Sequence, residues 1–133
     1  MITRLSHVTV FVQNQDEALR FYTEKLDFEK RMDATFNGFR WVTVAPPNQK
    51  EVELVLLEPA AVFEPSVAAK FQELMAAGKL GGCVLNSDDC QGDYDRLKAR
   101  GVEFKGAPEK KPFGLQATFR DNSNIWYSLT QTR

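Results

Sequence analysis

The sequence predicts an α+β fold made of two βαβββ modules, forming a curved mixed sheet around a cup. Three observations carry this. Residues 5–57 and 80–130 each open with a short apolar strand, continue with an amphipathic helix and close with strand-like runs. An offset of 75 carries Leu19 onto Tyr94 and Tyr22 onto Leu97, so the two stretches read as one unit written twice. The strand runs alternate in polarity, which gives each sheet one face to bury under its helix and one to leave open. Two open faces brought together enclose a small-molecule cup.

In the first strand, residues 7–12, Val8, Val10 and Val12 share the face that goes under a helix, and His7, Thr9 and Phe11 share the other. Asn14 and Glu17 form an Asn-x-x-Glu helix start, and Leu19, Tyr22 and Leu26 form the buried stripe, with Phe21 and Lys25 at its margins. Residues 28–36 and 39–44 read as strands joined by Asn37-Gly38, a strong two-residue hairpin signal. Pro46-Pro47 ends that pair, and residues 51–57 form the last strand, with Val52, Leu54 and Leu56 on one face and Glu51, Glu53 and Val55 on the other.

Residues 59–79 connect the modules. Pro65 suits a helix start, Val67, Phe71, Leu74 and Met75 recur at helical spacing, and Gly78 suits the stop. The second module repeats the pattern: a strand at 82–85, a helix at 92–100, a strand at 102–105, a Pro/Lys/Gly loop, and strands at 115–120 and 125–130. Asp121-Asn122-Ser123-Asn124 is the turn between the last two, with Asn124 suited to a left-handed conformation. The expected organisation is a single domain over 1–133, with module one at about 1–58, the connecting helix at about 59–79 and module two at about 80–133.

Composition narrows the function. A chain of 133 residues supports a core without staples. The net charge of −1, with acids and bases interspersed, argues against a nucleic-acid partner, which needs clustered cations. The pair Lys110-Lys111 follows Glu109 and reads as a solvated loop. No run is long enough to span a membrane, and the first residues carry no apolar signal core. Cys83 reads as a small core residue and Cys90 as a bystander, with no zinc pattern, so the expected compartment is a reducing cytoplasm. Asp88-Asp89 reads as a helix cap. No phosphate-binding glycine loop is present, and nothing supplies an oxyanion hole for a triad of Ser128, His7 and an aspartate.

Three stretches resemble the vicinal oxygen chelate superfamily, which includes glyoxalases, extradiol dioxygenases and the fosfomycin- and bleomycin-resistance proteins. They are Asp16-Glu17-Ala18-Leu19-Arg20-Phe21-Tyr22-Thr23-Glu24-Lys25-Leu26-Asp27-Phe28, Tyr94-Asp95-Arg96-Leu97-Lys98-Ala99-Arg100-Gly101-Val102-Glu103-Phe104 and Phe119-Arg120-Asp121-Asn122-Ser123-Asn124. The last looks like the family's Asp-Pro-Asp-Gly-Asn turn, with Asn124 in place of glycine. The resemblance implies paired βαβββ modules, a metal or ligand site in the cup and, frequently, a homodimer. It also implies metal ligands on the first and last strands of each module. The first-module positions match His7 and Glu53, and the offset of 75 puts the second-module equivalents at Gly82 and Ser128. Glycine has no donor and a serine hydroxyl is a poor one, so the metal site is incomplete, with His7 and Glu53 as its weak candidates.

The expected ligand-facing residues are His7, Trp41, Glu53, Trp126 and Ser128, with Glu53 as the candidate catalytic base. Each has a plainer alternative. A lone strand histidine is often a structural hydrogen-bonding residue, Glu53 can face solvent with Glu51, and both tryptophans can fill a core or a dimer interface. Three functions follow in order of preference. The first is a glyoxalase/bleomycin-resistance-like protein that binds a small organic molecule and needs no cofactor. The second is a lyase, isomerase or transferase acting next to a carbonyl, with a weakly held divalent metal or none. The third is a structural homodimer with a vestigial pocket.

Overall fold

The computed structural model describes residues 1–133. The chain divides into two compact units, Met1–Glu73 and Leu74–Arg133.

The first unit is a βαβββ module. Strand β1 (His7–Phe11) leads into helix α1 (Gln15–Arg20), and β2 (Glu29–Phe36), β3 (Phe39–Ala45) and β4 (Glu53–Leu57) follow. The sheet order is β1-β4-β3-β2, with β1 parallel to β4 and the other pairs antiparallel. Local chemistry fixes the connections. The Asn14 side chain accepts from the Glu17 N–H and caps α1. Asn37 and Gly38 both have positive φ, 52° and 81°, as the tight hairpin between β2 and β3 requires. Val10, Val12, Val42, Val44, Leu54 and Leu56 are buried with Ala18, Phe21, Tyr22 and Leu26 of the helical segment, which forms this unit's core.

The helix differs from its expected stripe. Residues Phe21–Lys25 form a π turn, and the wider turn rotates the buried face. Tyr22 and Leu26 are buried as expected, Ala18 and Phe21 join them, and Leu19 is only half-buried. After β4 come a 3₁₀ turn (Pro59–Ala61) and helix α2 (Pro65–Ala76), within which the unit boundary falls. Ala68 and Met75 carry the buried stripe of α2, and Leu74, expected inside, is exposed. Gly78, at φ 68°, receives the chain past the helix end as expected.

The second unit runs β5 (Gly81–Asn86), α3 (Cys90–Ala99), β6 (Glu103–Phe104), β7 (Glu109–Lys111), β8 (Gly114–Arg120) and β9 (Trp126–Thr132). Its sheet has the order β5-β9-β8-β6, and β7 also pairs with β8. The strand that corresponds to β2 is thus broken into β6 and β7, and residues 106–108 leave the edge of β8 between them. The Pro/Lys/Gly stretch was expected to be all loop. It contains β7 because an exposed edge strand needs no apolar alternation. Tyr94, Leu97, Phe119, Ile125, Tyr127 and Leu129 form this unit's core. Cys90 joins them, wholly buried with its Sγ 3.7 Å from the Leu129 carbonyl, so it is a packing residue. Cys83 is only half-buried. The turn between β8 and β9 matches expectation: Asn124 has φ 62°, and the Asp121 carboxylate accepts from the Ser123 and Ile125 N–H groups. No helix is long and apolar enough to cross a membrane.

Candidate functional site

The first unit brings three of the expected residues together. Strands β1 and β4 run parallel with His7 directly abreast of Glu53, so both side chains leave the same face of the sheet. His7 Nε2 lies 3.6 Å from Glu53 Oε1. The His7 ring meets Trp41 edge to face, with centroids 5.5 Å apart, and Trp41 leans on Phe39 at 6.5 Å. Helix α1 is on the opposite face, where Val10, Leu54 and Leu56 are buried, whereas Val8, expected to be buried with them, is exposed. The pair is partly open, its side chains 37% and 26% exposed, so it contributes at most about 1 kcal/mol to stability. Its value lies in position: a histidine, a carboxylate and an indole share one accessible patch.

A different cluster closes one end of that face. Phe11 packs on Phe63 and Phe71 of the segment after β4, and Phe63 and Phe71 stack at 4.9 Å. On the helix side, Arg40 reaches Asp33 at 2.9 Å and Asp16 at 2.7 Å, which ties α1 to β2 and β3. The hydrogen bond from Arg40 holds the Asp33 carboxyl below its ordinary range, and the two aspartates push the guanidinium upward. Burial pushes the thiols of Cys83 and Cys90 up, away from the reactive thiolate.

The second unit corrects the expected equivalences. Val12 N–H donates to the Leu57 carbonyl, and the matching bond runs from Ser87 N–H to the Thr130 carbonyl. Glu53 lies four residues before Leu57, and Trp126 lies four before Thr130. Trp126, rather than Ser128, therefore occupies the position of Glu53. Ser128 pairs instead with Val84. The match for His7 also moves, from Gly82 to Gly81, because a bulge between Gly81 and Val84 shifts the register and Gly81 lies across from Trp126. A Cβ on Gly82 would point into the buried Tyr127 ring, 2.7 Å from its Cζ. The offset of 75 holds for the helices and fails for the last strand, where the repeat is two residues out of step.

The four-ligand metal site that the resemblance implies is not completed by the residues at its positions. His7 and Glu53 are two donors, and the second unit has glycine and tryptophan where the other two would stand. Nowhere does the chain gather three or more His, Cys, Asp or Glu side chains into a group that could hold a metal ion.

Trp126 and Ser128 do share the face opposite the buried Ile125, Tyr127 and Leu129. The Trp126 N–H donates to the Gly78 carbonyl at 3.1 Å, and its ring is met by Lys105 Nζ at 4.4 Å and Arg120 at 5.5 Å. Ser128 Oγ accepts from Gln116 Nε2 at 3.1 Å. Sequence reasoning missed Lys105, Arg120 and Gln116, although Gln116 and Arg120 have the right parity on β8. It also missed Thr43, a wholly buried threonine of β3 whose hydroxyl has no partner.

Over residues 4–129 the chain matches the Glyoxalase/Bleomycin resistance protein/Dioxygenase superfamily. It is 38% identical to YurT of Bacillus subtilis (strain 168) over 123 residues, which are 92% of this chain and 94% of YurT. The crystal structure of UcmS2 is 45% identical and superposes with a TM-score of 0.92, covering 97% of this chain and 98% of that one. TnmS3, an antibiotic binding protein from Streptomyces sp. CB03234, is 31% identical with a TM-score of 0.80, covering 99% and 98%.

Proposed function

This chain belongs to the Glyoxalase/Bleomycin resistance protein/Dioxygenase superfamily. On that premise we propose that it binds a small organic molecule, of the antibiotic class that TnmS3 binds, at the open face carrying His7, Trp41 and Glu53. One observation carries the reading: the first and last strands of the first unit present two polar groups beside the aromatic wall of β3, in a chain with no three-donor metal cluster. Such a surface suits a largely apolar ligand oriented by a few hydrogen bonds. His7 and Glu53 orient the ligand and Trp41 packs against it. In the second unit, taken by itself, Trp126 and Ser128 are the residues expected to face a ligand. Sequestration needs no bond to be made or broken, so the protein works in this reading as a binder. It acts in the cytoplasm, as a homodimer, and its free thiols support a reducing compartment.

A second reading has Glu53 as the base for a proton next to a carbonyl, and the 3.6 Å approach of His7 favours it. A thermal-shift screen of antibiotics and other small aromatic molecules separates the two. A binder gains roughly 2.7 kcal/mol from a ligand held at a hundred times its Kd, and the ligand is recovered unchanged. A metal at one equivalent per chain on elemental analysis, or conversion of the ligand, would overturn the binding reading in favour of an enzyme.

A further inference from the structure

We propose that the second unit carries an anion site of its own, centred on Lys105 and Thr118, that accepts a small carboxylate. The proposal stands on this unit alone, apart from the small-molecule reading of the first unit. Where residues 106–108 leave the edge of β8, they open a cavity of about 210 Å³. This is below the roughly 300–1,000 Å³ of a pocket for a whole drug-sized ligand, so it suits a small carboxylate. Its polar lining comes from Lys105, Glu109, Lys111, Gln116 and Thr118.

The cations around it are not equivalent. Lys111 Nζ is paired with Glu109 at 3.2 Å, and Arg120 is paired with Glu103. The Lys105 ammonium instead stands over the Trp126 ring, whose N–H is held by the Gly78 carbonyl. The ring attracts the cation without consuming its N–H donors. Lys105 is therefore the lining cation not neutralised by a carboxylate. Its backbone N–H donates to the Thr118 carbonyl at 2.9 Å, which sets the two residues side by side. Thr118 lies across from Ser128, on the face where Gln116 also reaches Ser128. A carboxylate here accepts from the Lys105 ammonium and the Thr118 hydroxyl. A neutral amide in the same place receives no charge-assisted bond.

The test uses benzoate and benzamide as matched probes, followed by amide and indole N–H resonances of the full-length protein. Benzoate is expected to shift Lys105, Thr118 and the Trp126 indole, benzamide at the same concentration to leave them, and Lys105→Met to weaken benzoate binding at least tenfold while the rest of the spectrum stays native. Equal responses to the two probes, an unweakened Lys105→Met variant, or no response at these three residues would overturn the subsite. Shifts confined to His7 and Trp41 would overturn it too, yet leave the small-molecule reading standing.

Discussion

Replacing Thr43 by valine is expected to stabilise the protein. Thr43 lies on β3, across from Met32 on one side and Val55 on the other, and it is wholly buried. Its Oγ1 has no hydrogen-bond partner. Folding strips the hydroxyl of water and returns nothing, a loss of about 1–3 kcal/mol. Valine has nearly the same shape, keeps the β-branch that suits a strand, and lacks the polar atom. The variant should therefore gain about 1–3 kcal/mol, which for a domain of this size is roughly 3–5 °C in Tm per kcal/mol. Urea denaturation followed by circular dichroism reads the gain directly, with an unchanged m-value showing that only stability moved. A variant less stable than wild type would refute the reasoning, because it would mean that the hydroxyl is satisfied in the folded protein.

Two further outcomes follow from neighbouring details. Gly82→Ala should destabilise by about 1–3 kcal/mol, since the new methyl meets the Tyr127 ring at 2.7 Å in a filled core; a neutral result in the same denaturation assay would contradict the bulge geometry. Asp33 has a carboxyl held below its ordinary value of 3.8, so its pairing with Arg40 stabilises the fold above that pH and is lost as pH falls through the lower folded value. The pair is near the surface, so Asp33→Asn should remove only about 0.2–1 kcal/mol at neutral pH and flatten the stability profile below about pH 4; an unchanged profile would contradict the shift.

The first unit was largely legible because its signals are local. Asn14 caps the helix through its own side chain, and Asn37-Gly38 dictates its hairpin. The alternation of Val8, Val10 and Val12 against His7 set the face on which His7, Glu53 and Trp41 converge. What escaped the sequence depends on partners far along the chain. The π turn at Phe21–Lys25 rotates a helix face without leaving any pattern in residue type. The bulge in β5 slides Gly81 into the place assigned to Gly82, and a two-residue difference in the last strand puts Trp126 where Ser128 was expected. Both are differences of register, and register is set by pairing between strands. The cations over Trp126 were hidden for the same reason, since Lys105 meets the indole only after β6, β8 and β9 assemble.

The central claim is that Trp41, beside His7 and Glu53, forms a wall of the small-molecule site. Calorimetric titration of wild type and Trp41→Ala with the ligand that gives the largest thermal shift tests it most directly. The account predicts stoichiometric binding to wild type and a Kd at least tenfold weaker in the variant, a loss of about 1.4 kcal/mol. Equal affinity in the two proteins, with both folded, would contradict it.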